Sequence, residues 1–154
     1  ENYRRFYDAF DRDAFLATPL RSATYRLRIW GVPWYTDAGM LFNLGDEQLR
    51  FRISSAKLPN REFPILDQLA ELLNKYPSLT ARIEGHTDNT GREETNLTLS
   101  QQRAETVMQE LANRGVAENR MEAIGVGPIR PVADNDTPYG RALSRRVEVY
   151  VNER

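Results

Sequence analysis

From residue 48 onward the apolar residues switch their spacing between two and 3.6, and back again. Leu49, Phe51 and Ile53 alternate with polar residues, the pattern of a strand with one buried face over 48–53. Phe63, Leu66, Leu69, Ala70, Leu73 and Tyr76 then share one helical face. Asn60 is a candidate cap for that helix, Pro64 is tolerable in its first turn, and Pro77 stops it. Leu79, Ala81 and Ile83 return to strand alternation over 79–84. Residues 85–96 are polar and turn-rich. A second helix is predicted over 97–114, with Ala104, Val107, Met108 and Leu111 inward and Gly115 as its C-terminal cap. A short strand near 121–124, a loop over 125–140 and a strand over 146–151 follow, the last with Val147, Val149 and Val151 inward. The order is β-α-β-α-β-loop-β. Such a chain lays helices on a sheet, so the expected class is α+β, a two-layer α/β sandwich.

The first 46 residues read differently. They hold ten of the fifteen aromatics, all within the first 42 positions. Tyr3, Phe6, Tyr7 and Phe10 follow i, i+3, i+4, i+7 spacing and predict an amphipathic helix over 2–16, ended before Pro19. Thr24 to Trp30 alternates and reads as a strand, broken by Gly31-Val32-Pro33. The expected organisation is an aromatic-rich extension, 1–46, and a body, 47–154. The aromatics have three readings: cover for the body's core, a surface for a partner or a second copy, or a membrane-surface helix. Six arginines against six acids leave no basic excess for the third.

Charge and composition exclude several functions. Lys+Arg is 21 and Asp+Glu is 22, a formal net charge of −1, so no bulk positive field draws nucleic acid. The absence of cysteine removes disulfides, thiolate nucleophiles and cysteine zinc sites. One histidine removes a multi-histidine metal centre. No cofactor motif stands out. There is no apolar run of roughly 18 residues and no signal-peptide pattern. The chain starts at Glu1 rather than Met, and the expectation is a processed product whose membrane anchor lay upstream.

The chemistry concentrates in Ile83-Glu84-Gly85-His86-Thr87-Asp88-Asn89-Thr90-Gly91 and in Asn96-Leu97-Thr98-Leu99-Ser100-Gln101-Gln102-Arg103-Ala104. The strand delivers Asp88 to a loop at its C-terminal end, where ligands collect in open αβ sheets. Arg103 lies near the start of the next helix, whose first turn offers free N–H groups. A carboxylate, a guanidinium and a few amides suit a zwitterion: Asp88 for an ammonium, Arg103 for a carboxylate. The plainer reading makes Asp88 a turn cap and Arg103 a surface ion-pair partner. His86 invites a general-base role, yet no nucleophile and orienting acid accompany it. Asp88 to Gly91 lacks the spacing of a calcium loop, and Gly125-Val126-Gly127 precedes Pro128 rather than a helix. Glu93 and Glu94 read as a solvated rim. Arg141, Arg145 and Arg146 form a basic cluster, either paired with Glu148 and nearby acids or open to acidic ligand groups.

These blocks resemble the signature of the OmpA C-terminal-like family, the peptidoglycan-binding module shared by OmpA, Pal and MotB proteins. The resemblance runs through Glu84-Gly85-His86-Thr87-Asp88 with Gly91, Asn96 through Leu99-Ser100 to Arg103-Ala104, and Gly115-Val116. It continues through Gly125-Val126-Gly127, Pro131 to Asn135, Gly140-Arg141 and Arg145-Arg146-Val147-Glu148, and covers roughly 47–151. It implies a β-α-β-α-β-β fold with a mixed sheet and non-covalent, non-enzymatic binding of the diaminopimelate in peptidoglycan stem peptides. Position by position it makes Asp88 and Arg103 the clamp for the ligand's ammonium and carboxylate. The same resemblance puts Thr87, Asn96, Leu97, Thr98 and Leu99 along the pocket and Arg146 at its edge. It treats His86 as a loop-shaping hydrogen bonder. Two positions depart from the family pattern: Phe51-Arg52 where members often have Phe-Asp at the end of the first strand, and Ser144 where members usually have Asn before the arginine pair.

The implied function is a periplasmic tether of an envelope protein to the cell wall, held to the outer or inner membrane by a segment absent from this chain. An alternative keeps the fold as a protein-interaction or dimerisation module in an envelope or secretion assembly, with residues 1–46 as its docking surface. A third, hydrolysis of the same polymer, lacks a catalytic constellation.

Overall fold

The computed structural model describes Trp34–Thr36 and residues 39–153; the helix expected over 2–16 and the strand over 24–30 lie outside these residues. Five strands are present among them: β1 (Trp34–Thr36), β2 (Gly39–Gly45), β3 (Leu79–His86), β4 (Met121–Gly127) and β5 (Arg146–Glu153). Four α-helices join them: α1 (Asp46–Leu49), α2 (Pro64–Lys75), α3 (Glu93–Asn113) and α4 (Pro138–Ser144). The sheet order is β1-β2-β5-β3-β4. β3 and β4 are parallel, and the other neighbours are antiparallel. Elements β2, α2, β3, α3, β4 and β5 make the β-α-β-α-β-β order in a mixed sheet. The α+β reading holds. No described helix is long and apolar enough to cross a membrane.

Alternation divides the sheet into two faces. Leu79, Ala81 and Ile83 of β3 and Val147, Val149 and Val151 of β5 face α2 and α3, which add Leu66, Leu69, Leu73, Ala104, Val107 and Leu111 to one core cluster. The other face carries Arg82, Glu84 and His86 beside Tyr150, Glu148 and Arg146, paired in that register. α3 lies very close to the sheet because Gly85 and Gly125 have no side chain: a Cβ on either would overlap the backbone of Ser100 or Gln101. That approach sets the distance between the end of β3 and the first turns of α3. At its far end, α3 closes in a Schellman turn. Gly115, at φ +93, and Val116 donate to the carbonyls of Ala112 and Leu111.

The first strand of the body is the main correction. Residues 48–53 do not form a strand: Leu49 ends α1, and Arg50 and Ser54 sit at φ 53 and 55, which breaks an extended run. Leu49 is buried, Phe51 is half-buried, and Ile53 is 97% exposed, so their alternation is not that of one sheet face. The strand is Gly39–Gly45 instead, paired along its length with β5. It falls within the expected extension, so the sheet already includes residues upstream of the boundary drawn at 46/47. Helix α2 begins at Pro64 with Phe63 as its cap residue, not with Asn60. Helix α3 begins at Glu93, four residues before the expected start; Glu93 and Glu94 complement the positive end of its dipole. The loop expected over 125–140 gives up its ends to β4 and α4. Thr137 caps α4 by accepting the Gly140 N–H at 2.9 Å, with Pro138 in the first turn.

Candidate functional site

Asp88 emerges where β3 ends. The Thr87 N–H donates to the Gly127 carbonyl at 3.0 Å, extending the β3–β4 pairing by one residue and fixing the exit. Asp88 Oδ1 then accepts the Thr90 N–H at 2.8 Å, a local turn, while Oδ2 accepts from Arg145 Nη1 at 2.7 Å. Burial pushes the Asp88 carboxyl up, but the Thr90 N–H and the Arg145 guanidinium outweigh it and hold the group below its ordinary value. Asn96 Nδ2 donates to the Thr90 carbonyl at 2.8 Å and ties this loop to the first turn of α3.

Asn96, Leu99 and Arg103 follow i, i+3, i+7 spacing and so lie on one face of α3. Arg103 is 6% exposed. Its Nε donates to the Ser55 carbonyl at 2.9 Å and its Nη2 to the Arg52 carbonyl at 3.1 Å, with the guanidinium 4.9 Å from the Phe51 ring centroid. Thr106 Oγ1 adds a bond to the Ala56 carbonyl at 2.7 Å. The 50–56 turn is therefore wrapped on α3. The departure at Arg52 has a simple place here: the residue supplies a backbone carbonyl, which any residue can supply, and its side chain is exposed. From the opposite wall α4 presents Arg141, whose Nη1 donates to the Asn135 carbonyl at 2.9 Å, and then Arg145. Ser144 is buried and donates back to the Gly140 carbonyl at 3.1 Å, stitching the end of α4.

These elements enclose a cleft of about 370 Å³. Among the described residues that line it, one is acidic, Asp88, and three are arginines: Arg103, Arg141 and Arg145. Phe51, Ile53 and Leu99 give it an apolar wall, and Thr87, Thr90, Asn96 and Ser54 complete it. Thr87 Oγ1 is buried there with no hydrogen-bond partner among the described residues. The arrangement suits a ligand that carries an ammonium group and more than one carboxylate.

A model of the OmpA family matches residues 50–145. The chain belongs to the OmpA family. Among curated relatives it is 42% identical over 104 residues to the peptidoglycan-binding protein ArfA of Mycobacterium tuberculosis, a span that covers 68% of this chain and 32% of ArfA. The chain thus matches about a third of the length of that relative. Among solved structures it is similar to the peptidoglycan-associated lipoprotein from Burkholderia pseudomallei, with TM-score 0.64 and 31% identity over 71% of this chain and 89% of that one. It is also similar to the cell wall anchor of the T6SS from Pseudomonas aeruginosa, with TM-score 0.64 and 32% identity over 74% and 80% of the two chains.

In this OmpA-family cleft the fold brings together Thr87, Asp88, Asn96, Leu99 and Arg103 of the expected set. It does not bring in the other three. Leu97 is 47% exposed and packs near Gly127, and Thr98 lines neighbouring grooves with Gln102. Arg146 faces the other side of the sheet, where Nε meets Glu148 Oε1 at 2.8 Å and Nη1 and Nη2 reach the Ser144 and Arg130 carbonyls, each at 3.0 Å. The pairing of the basic cluster with Glu148 is therefore real for Arg146, and the cleft takes Arg141 and Arg145.

His86 does not line the cleft. It is buried on the back face, with Nε2 3.4 Å from Glu84 Oε1 and 3.8 Å from Glu148 Oε2. Burial holds its imidazole below the ordinary value; Glu84 and Glu148 pull the other way, and Arg146 adds to the depression. Glu84, His86 and Glu148 bring three ligand-type atoms within 4.8 Å of one another. Their carboxylates are already met by Arg82 at 3.0 Å, Arg130 at 3.1 Å, Arg146 at 2.8 Å and the Tyr150 hydroxyl at 2.6 Å. A divalent cation would face three guanidiniums, so the donor set is that of an ion-pair network.

Proposed function

We propose that this chain binds cell-wall peptidoglycan without breaking bonds, through the diaminopimelate of its stem peptides. Asp88 takes the ammonium group, and Arg103 takes the carboxylate on the same carbon. The observation that carries the reading is that Asp88 and Arg103 line one cleft of an OmpA-family fold. Two relatives, a peptidoglycan-binding protein and a peptidoglycan-associated lipoprotein, support the same ligand class. Arg103 is suited to the task because two backbone carbonyls and an aromatic face hold it in place before any ligand arrives. The wall lies in the envelope, so the body works in the periplasm. An anchor outside this chain would tie it to the outer or inner membrane, and the aromatic-rich sequence upstream of β1 is the candidate docking segment for an envelope partner or a second copy, since Gly39–Gly45 belongs to the body's sheet.

The test is a titration of isotopically labelled protein with a diaminopimelate stem peptide and with its lysine counterpart. Saturating shifts at Asp88, Asn96, Leu99 and Arg103 with the diaminopimelate peptide, and weaker effects with the lysine peptide, are expected. Absence of shifts with both peptides overturns the reading.

A further inference from the structure

The back of the sheet, away from the cleft helices, is buried on a row that no described helix covers. Trp34, Leu41, Tyr150, Arg82 and Glu122 are successive register partners across β1, β2, β5, β3 and β4. Alternation sets this row opposite the core: Met40, Phe42, Val149 and Val151 belong to the core cluster, and Leu41 and Tyr150 do not. Exposure rises along the row with distance from β1. Leu41 is 1% exposed, Tyr150 6% and the Arg82 side chain 43%, and Glu122 is exposed. Helices α1, α2 and α3 put Leu49, Leu66 and Val107 into the core on the other face. Among the described residues, cover on the back is supplied where β3 ends, by the loop before α4. There Arg130 pairs with Glu84 at 3.1 Å, and its carbonyl accepts from Arg146. The Leu41 end of the row is closed by something that reaches it from the β1 side. In the next row of the same face, Asn43 is 5% exposed, and its Oδ1 is buried with no hydrogen-bond partner among the described residues. The cover there would bring a donor.

We propose that this cover is the chain's own residues 1–33, docked on the back of the sheet through their aromatic stripe. The segment enters the sheet at Trp34, on the Leu41 row itself, so its attachment point lies one strand spacing, about 4.8 Å, from Leu41. Residues 17–33 then act as a tether, and a short tether gives an effective concentration on the order of millimolar, which a separate chain does not match. The sequence supplies a matching surface. Tyr3, Phe6, Tyr7 and Phe10 share one face of the helix expected over 2–16. That helix would be about 22 Å long, against about 19 Å from β1 to β4. Its tyrosine hydroxyls are donors of the kind that Asn43 Oδ1 lacks. The stripe docks on its own body, and an envelope partner or a second copy would meet the faces of the segment that this contact leaves outward.

The test uses the full chain with its leucine methyls and aromatic rings isotopically labelled. Nuclear Overhauser contacts from the Leu41 methyls to the Phe6 or Phe10 rings are expected in uniformly labelled protein. In an isotope-filtered spectrum of labelled and unlabelled chains mixed, which reports contacts between chains, they are expected to vanish. Phe6→Ser with Phe10→Ser is expected to lower the urea midpoint and to move the Leu41 and Tyr150 signals, while the Asp88 and Arg103 signals stay in place. Contacts that persist in the filtered spectrum assign the cover to a second copy. Absence of any contact from Leu41 to a ring of residues 1–33 removes the segment from this face. Either result overturns the proposal, and if the double variant does not fold, the contacts in the parent still decide.

Discussion

Replacing Asp88 with asparagine separates its structural role from its role toward a ligand. The amide oxygen can still accept the Thr90 N–H, so the turn survives. What is lost is the charge facing Arg145. That pair is partly solvated, the Arg145 side chain being 35% exposed, so solvent screening limits its contribution to folding to about 1 kcal/mol or less. For a domain of this size that is a fall in Tm of about 4 °C at most. The effect on binding is larger. Asp88 is 8% exposed, and removing one partner of a desolvated, hydrogen-bonded charge pair costs about 2–5 kcal/mol. Because Asp88 already pairs with Arg145 in the absence of ligand, the low end applies: about 2 kcal/mol, or roughly 30-fold in Kd. Calorimetric titration of a diaminopimelate stem peptide at physiological salt, beside urea and thermal melts, reads both quantities. A folded Asp88→Asn protein whose Kd stays within threefold of the parent refutes the assignment of the ammonium to Asp88.

Three further outcomes follow from the packing and the buried charges. Gly85→Ala drives a Cβ into the Ser100 carbonyl and should destabilise by about 1–3 kcal/mol or more; an unchanged urea midpoint contradicts the close approach of α3 to β3. Tyr150→Phe strips the hydroxyl from Glu148 Oε2 at 2.6 Å and leaves a buried carboxylate oxygen short of a donor, which should cost about 1–3 kcal/mol in a urea melt while stem-peptide affinity stays at the parent's value. His86 has a folded value depressed by burial, so the unfolded chain binds its proton more readily; the stability it contributes is full above the ordinary value of 6.5 and is lost as pH falls below it. Urea midpoints should therefore fall between pH 7.5 and 5.5, and a midpoint that rises on acidification means that His86 charges in the folded protein between Glu84 and Glu148.

Where the two faces of an element differ in polarity, its residues revealed it. The stripes of α2 and α3 and the alternating valines of β5 placed the core because polar residues between them marked the other side. Strand β2 escaped that logic. Met40, Leu41, Phe42 and Leu44 are all buried, so both faces of the strand are covered and no alternation remains to be read. The pattern at Leu49, Phe51 and Ile53 supplied a false substitute, and two left-handed residues, Arg50 and Ser54, turn it into the hairpin-like clasp that holds Arg103. Helix α4 was too short and too polar to show a stripe. Its signal was chemical: Thr137 followed by Pro138, a capping residue and a proline suited to a first turn.

The cleft was legible through motif residues on the two elements that the periodicity located, β3 and α3. Its third wall was not, because that wall depends on which way α4 hands the chain to β5. Arg145 and Arg146 are neighbours of identical type, and composition cannot divide them. The junction does: Arg145, the residue after α4, points to Asp88, and Arg146, the first residue of β5, points to Glu148 on the back of the sheet. The two positions should therefore fail in different ways. Arg146→Gln leaves Glu148 buried without its guanidinium, and such a break costs about 3–5 kcal/mol of stability while the cleft keeps all of its lining side chains. Arg145→Gln removes a partly solvated ion pair in the cleft and is expected to alter stem-peptide affinity while costing about 1 kcal/mol of stability or less. If both substitutions instead lower stability alike and leave the stem-peptide affinity of the folded protein unchanged, the division of the arginine pair between the two faces is wrong.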